Sequence, residues 1–194
     1  MPLTKFDICT QALTQIGADP ITDFNGGSQE SETCSYLYQP TVDNWLSMYP
    51  WRFATKQTVL SRNVTAPTTI WRGSYAQPGD MITLQAVSIA SVNIPFDRYE
   101  NKIFCNASAA DTVHGIYTYS ISESFWPAYF VQLIELALME KLAFALPSKL
   151  DLKEAMAKRV DAQYRMAKAA DARQQTSRVL PTSGRRSIME ARRA

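Results

Sequence analysis

Phe125-Trp126-Pro127-Ala128-Tyr129-Phe130-Val131-Gln132-Leu133-Ile134-Glu135-Leu136-Ala137-Leu138-Met139-Glu140-Lys141-Leu142-Ala143-Phe144-Ala145-Leu146 is the most apolar run in the chain. Its length invites a membrane reading, but Gln132, Glu135, Glu140 and Lys141 lie within it, and a lipid-facing helix holds such groups near its middle only at high cost. Pro127 suits the first turn of a helix. The run therefore predicts a helix from Pro127 to Ala145 that is apolar on most sides, and such a helix must be covered by others.

Working outward, Pro147-Ser148 breaks that helix, and Asp151 with Glu154 resembles a capping box opening a last one. Leu152, Met156, Val160, Tyr164 and Ala167 give this last helix an apolar face. Near the N-terminus, Phe6, Cys9, Leu13 and Ile16 form a single stripe over Leu3 to Ile16, with Gly17 as its stop. A second helix starts at Ser28, with Glu30 and Glu32 near its positive end, and Pro50 ends it. Pro40 lies inside it and predicts a kink or interruption.

Between these helical pairs the period changes. Thr58-Val59-Leu60, Thr69-Ile70-Trp71, Met81 to Val87, Ser91 to Ile94, Lys102 to Cys105 and Val113 to Tyr119 read as short strands. Ala66-Pro67, Gln77-Pro78-Gly79-Asp80, Pro95 and Asn106-Ala107-Ser108 separate them. The expected architecture is α+β: an antiparallel helical bundle of about four helices, with a small antiparallel β unit inserted between helices 2 and 3. Helices 1 and 2 occupy residues 1–54, the β unit 55–121 and helices 3 and 4 residues 122–175. An extended basic arm, 176–194, follows.

The 194 residues are 46% hydrophobic and 20% charged, which is ordinary globular composition and excludes a wholly disordered or collagen-like chain. The formal charge of +2 argues against a uniformly basic nucleic-acid binder. The charge is uneven, however. After Asp171 come Arg173, Arg178, Arg185, Arg186, Arg192 and Arg193 against Glu190 alone, so the rest of the chain is slightly acidic. A basic arm on an acidic body suggests a partner for the arm. Leu180, Ile188 and Met189 within it fit a protein groove; a solvated tail and a DNA contact are the other readings.

Chemistry is sparse. Cys9, Cys34 and Cys105 form no CxxC pair and, with the single His114, supply too few ligands for an ordinary zinc site. Gly26-Gly27 lacks both the strand and the Lys-Ser/Thr of a phosphate loop. His114 lies on an expected strand among apolar residues, and Asp97, Glu100 and Asp111 fall in expected turns. Neither metal, cofactor nor catalysis is expected. Met1-Pro2-Leu3-Thr4-Lys5 lacks the plan of a signal peptide, and unpaired cysteines suit a reducing cytoplasm. Tyr49-Pro50-Trp51-Arg52-Phe53 reads as core at Trp51 and Phe53, where an interface is the alternative, and leaves Arg52 open.

Five stretches together carry a family resemblance: Ala12-Leu13-Thr14-Gln15-Ile16-Gly17-Ala18-Asp19-Pro20-Ile21, Leu37 to Leu46, Tyr49-Pro50-Trp51-Arg52-Phe53-Ala54, Tyr75-Ala76-Gln77-Pro78-Gly79-Asp80-Met81, and Phe125-Trp126-Pro127-Ala128-Tyr129-Phe130. In this order and spacing, over residues 3 to 175, the chain resembles the tail tubular protein A family, the head-to-tail adaptors of short-tailed and related tailed phages. The Arg-rich tail is the least similar part.

The resemblance implies a virion protein at the head–tail junction, assembled in the host cytoplasm as a dodecameric ring of copies of itself. Such a ring joins the portal protein to the tail nozzle or tube and lets DNA pass without sequence-specific binding, with no membrane and no catalysis. On that basis the arm docks on the portal through Arg178, Leu180, Arg185, Arg186, Ile188, Met189, Arg192 and Arg193. Asn93, Pro95, Asp97 and Arg98 of the β unit meet the next tail component. The alternative is a DNA-binding or packaging accessory protein that uses the arm.

Overall fold

The computed structural model describes residues 3–145 and 153–174. Helix α1, Lys5–Gln15, begins with a capping box: the Asp7 amide donates to Thr4 Oγ1 (3.3 Å), and the Thr4 amide donates to Asp7 Oδ2 (2.8 Å). The Thr4 hydroxyl also donates to Asp7 Oδ2 (2.6 Å), and this bond, followed by that from the Thr4 amide, holds the Asp7 carboxyl below the ordinary carboxylate range. Gly17, at φ +71°, takes the left-handed conformation that closes the helix.

Helix α2, Gln29–Ser47, is capped by Ser28, whose side chain accepts the Ser31 amide at 3.1 Å. It runs through Pro40 as one helix rather than breaking there. Proline removes a hydrogen bond to the carbonyl four residues earlier. Here that carbonyl belongs to Tyr36, and Tyr36 and Pro40 both lie on the exposed face, where water can serve it.

Helix α3, Ala128–Ala145, lies against α1, α2 and α4 (Lys153–Ala172). Phe130, Leu133, Ile134, Leu138 and Leu142 are all fully buried, so the apolar run is a core element, as its composition predicts. Cys9, Leu13, Cys34, Leu46, Trp51, Met156 and Val160 share that core.

Seven strands lie between α2 and α3: β1 (Thr55–Val59), β2 (Gly73–Ala76), β3 (Met81–Ile89), β4 (Val92–Ile94), β5 (Phe96–Tyr99), β6 (Lys102–Cys105) and β7 (Val113–Tyr119). They form two antiparallel sheets, ordered β1-β7-β3-β4 and β2-β6-β5. The sheets are joined at both edges. Only Pro95 separates β4 from β5, so one bent stretch serves both sheets. At the other edge the chain leaves β1 and pairs with β2: Arg62 bridges Tyr75, the Asn63 amide donates to the Ser74 carbonyl (2.9 Å), and the Ala76 amide donates to the Ser61 carbonyl (2.8 Å). The strands thus close on themselves into a barrel, which leaves few unpaired sheet edges.

The barrel has its own core of Leu60, Tyr75, Met81, Val87, Ile103, Cys105, Val113 and Tyr117. Gly115 on β7 faces this interior. A Cβ there would lie 2.9 Å from Leu60 Cδ2, so glycine is what admits the Leu60 side chain.

This corrects the expected architecture. A helical bundle carrying a small β unit does not fit, because the strands form two full sheets with a hydrophobic core of their own. The short runs in the sequence hid this. Thr69-Ile70-Trp71 is not a strand but part of an exposed loop, while β2 and β5 were not expected at all. Both missed strands are four residues long; β2 is a strand through its pairing with the distant β6, and β5, with Asp97 and Arg98 at its centre, through a two-residue hairpin with the same β6. The local period cannot show such pairing.

Candidate interaction surfaces

The helical layer meets the barrel at the segment Tyr49–Ala54. Trp51 is fully buried, its indole N–H donates to the Trp45 carbonyl (2.8 Å), and its ring packs edge-on against Phe130, with centroids 5.1 Å apart. Phe53 and Trp126 also pack on Phe130, at 4.8 and 5.1 Å. Trp51 and Phe53 are therefore core. Just beyond, the Tyr119 amide donates to the Ala54 carbonyl (3.0 Å), tying β7 to the same segment.

Asp171, in the last turn of α4, is fully buried at this junction. Its carboxylate accepts the Arg52 amide (3.2 Å to Oδ1 and 3.1 Å to Oδ2) and the Tyr129 hydroxyl (2.8 Å). A buried carboxylate needs such donors, since an unpaired one is strongly destabilising. Burial, and then the bond to Asp171, push the Tyr129 hydroxyl well above the ordinary tyrosine range. One side chain thus ties α4, α3 and the entrance to β1 together. Sequence pattern offered no signal for this, because Asp171 falls within an alanine-rich stretch of ordinary helical composition.

The residues expected to meet the next tail component lie around the sheet-crossing corner. Asn93 is exposed on β4, Pro95 sits between the sheets, and Asp97 is exposed on β5. Arg98 is exposed on β5 as well, with its Nε donating to Gln77 Oε1 (3.0 Å), which ties β5 to the chain between β2 and β3. The expected turn at Pro95 is instead a crossing. The hairpin tips are Ala90-Ser91 and Glu100-Asn101, each with positive φ at both residues (47° and 69°, 51° and 54°). Two-residue hairpins require this geometry, usually with Asn-Gly, and non-glycine residues adopt it under strain.

The arm residues Arg178, Leu180, Arg185, Arg186, Ile188, Met189, Arg192 and Arg193 lie outside the described residues, as do Pro147, Ser148 and Asp151.

A feature that sequence reading missed is the loop of residues 61–72, which covers the outer side of the β2-β6-β5 sheet. Arg62 clasps its two ends. Its Nη1 donates to the carbonyls of Ser108 (2.7 Å) and Ala107 (3.1 Å), and its Nη2 to the carbonyl of Arg72 (3.0 Å). The loop presents Val64, fully exposed, and Ile70, 88% exposed. Between Arg62 and Arg72 it carries no charge. A groove of about 480 Å³ lies between it and Ser74, Lys102 and Phe104. On the opposite wall of the barrel, Met48, Tyr49 and Pro50 meet Leu84 and Thr118 around a second hollow of about 320 Å³, whose lining, unlike that of the first with its Glu100 and Lys102, lacks charge.

The remaining chemical groups are dispersed. His114 is the second residue of β7, paired with Val59 on one side and Ser88 on the other. Asp111 accepts the Ser108 amide within a turn (2.7 Å). Lys56 Nζ bonds Asp80 Oδ2 (2.7 Å), and Tyr117 donates to Asp80 Oδ1 (3.0 Å). The Lys56 bond in particular holds the Asp80 carboxyl below its ordinary range. Cys9, Cys34 and Cys105 are free thiols, all buried. The hydrogen bond with Cys34, together with burial, pushes the Cys9 thiol up. Among the described residues no group of three or more His, Cys, Asp or Glu could hold a metal ion, and no helix is long and apolar enough to cross a membrane.

No family model matches the chain, and no curated protein matches its sequence.

Proposed function

We propose that this chain is a structural virion subunit, a head-to-tail adaptor. Copies of it assemble into a ring that joins a portal protein to the tail nozzle or tube and lets DNA through, with no catalysis. The observation that carries the reading is where two of the family-like stretches meet. Tyr49–Ala54 and Phe125–Phe130 are far apart in sequence, yet they supply Trp51, Phe53, Trp126 and Phe130 to one aromatic cluster between helices and barrel. Tyr75–Met81 contributes Tyr75 and Met81 to the barrel core. Two of the stretches that carry the resemblance thus build the joint between the two halves, and a third helps fill the barrel beside it. A coupling piece gripped at both ends needs a rigid joint of this kind, because load passes between its partners through it.

In this reading the C-terminal arm docks on the portal, with its arginines on acidic groups and Leu180, Ile188 and Met189 in apolar clefts. Repetition around the ring strengthens each weak contact through avidity. The test is deletion of residues 178–194. The truncated protein is expected to keep its fold, by circular dichroism, and to lose attachment to DNA-filled heads. Normal portal attachment by the truncated form overturns the assignment. The alternative is that the arm makes this an accessory protein binding DNA, and it predicts affinity for duplex DNA that falls steeply between two salt concentrations.

A further inference from the structure

We infer that the clasped loop 61–72 of one copy seats in the hollow beside Met48 and Pro50 of the next, forming the subunit contact of the ring. This rests on the adaptor reading and locates a contact that the resemblance does not. Three observations point to a second copy of this chain as the occupant.

The first is charge. The loop from Asn63 to Trp71 and the lining of the hollow are both uncharged, on a chain that is 20% charged overall. Nucleic acid would find no phosphate partner between Asn63 and Trp71; of the flanking cations, Arg62 is already committed to three carbonyls, and Arg72 and Lys102 lie at the loop's end and in the groove beneath it. The second is shape. Val64 and Ile70 are the two most exposed large apolar residues described, and they project from one loop whose ends are pinned. Pinning reduces the ordering cost of binding. The opposite hollow, at about 320 Å³, has room for a branched aliphatic side chain, and Met48 on its rim is itself half exposed.

The third is placement. The loop covers the outside of the β2-β6-β5 sheet, while the hollow adjoins Thr83, Gln85 and Thr118 on the outside of the β1-β7-β3-β4 sheet, Leu84 between them turning inward to the barrel core. These are opposite walls of the barrel. Knob and hollow on opposite walls make a heterologous contact, the kind that propagates from copy to copy and closes into a ring.

The test is cross-linking between Ile70→Cys and Met48→Cys. All three native cysteines are buried, so the new thiols are the reactive ones on the folded protein. With a short bismaleimide, the chain bearing both substitutions is expected to give a ladder of covalent multimers. An equimolar mixture of the two single variants is expected to stop at dimers, and each single variant alone to stay uncross-linked. A ladder absent from the double variant, or single variants that cross-link as well as their mixture, overturns the contact.

Val64→Asp with Ile70→Asp supplies a second measurement. Both side chains are exposed, so the variant is expected to keep its melting temperature and to need at least a tenfold higher concentration to assemble. If the wild-type chain forms rings beside its portal while cross-linking fails, this contact is wrong and the adaptor reading stands. If it forms none at any concentration, with or without portal, both fall.

Discussion

Trp51 and Gly115 stand at the centres of the two halves of the molecule, and they are opposite solutions to filling space. Around Trp51 the helical half is packed with large rings, Phe53, Trp126, Tyr129 and Phe130, drawn from α3 and from the segments before β1 and α3. Around Gly115 the barrel is narrow, and a residue without a side chain is what leaves room for Leu60. The helical core therefore tolerates loss of volume poorly, because rings are lost with their contacts. The barrel tolerates gain of volume poorly, because closed strands cannot move apart independently.

Substitutions of each kind test that contrast. The largest effect is expected from Trp51→Ala, which removes a buried ring and its indole hydrogen bond at the joint, costing about 4 kcal/mol in denaturant unfolding. Asp171→Ala is next, at about 3 kcal/mol, because it leaves the Tyr129 hydroxyl and the Arg52 amide without their buried acceptor. Asp171→Asn retains an acceptor and is expected to cost less. Equal losses from the two variants would show that the site is mere packing. Gly115→Ala is expected to cost about 2 kcal/mol by forcing Leu60 aside; a neutral result would mean the barrel breathes more than its closed pairing implies.

Smaller effects concern the barrel surface. Ala90→Gly relieves a positive φ in the β3–β4 hairpin and is expected to stabilise by about 1 kcal/mol. The Lys56–Asp80 pair gives the smallest effect, and its sign follows from the depressed Asp80 carboxyl. The folded protein holds that group ionised more readily than the unfolded chain does. Its contribution is therefore present at neutral pH and lost as pH falls below about 4, where the unfolded carboxylate takes up its proton. An acid titration is expected to show a shallower loss of stability for Asp80→Asn than for the wild type.

The helical half was largely legible because its signals are local. The apolar run at 125–146, the Ser28 cap and the Gly17 stop each depend on neighbours within a few residues. The barrel was legible only in pieces. Val113–Tyr119 and Lys102–Cys105 show strand composition over their whole length, whereas β2 owes its state to the distant β6, and β5, with Asp97 and Arg98 at its centre, shows little strand composition of its own. Ile70-Trp71 misled for the same reason, since β-favouring residues without a partner strand form a loop. Among site residues, the exposure of Asn93, Pro95 and Asp97 fits a surface at the corner, but the turn expected there is a crossing between sheets. The buried Asp171 could not be found at all, because a single carboxylate in a polar helix looks like any solvated residue until the fold encloses it.

The central claim, that this chain couples a portal to a tail, is met most directly by co-expressing it with a portal protein of the same virus and imaging the product by electron microscopy. The adaptor account predicts a ring of this chain seated beneath the portal, joined through the C-terminal segment and missing when residues 178–194 are removed. Portals that emerge bare, with this chain recovered as a separate monomer, would contradict it.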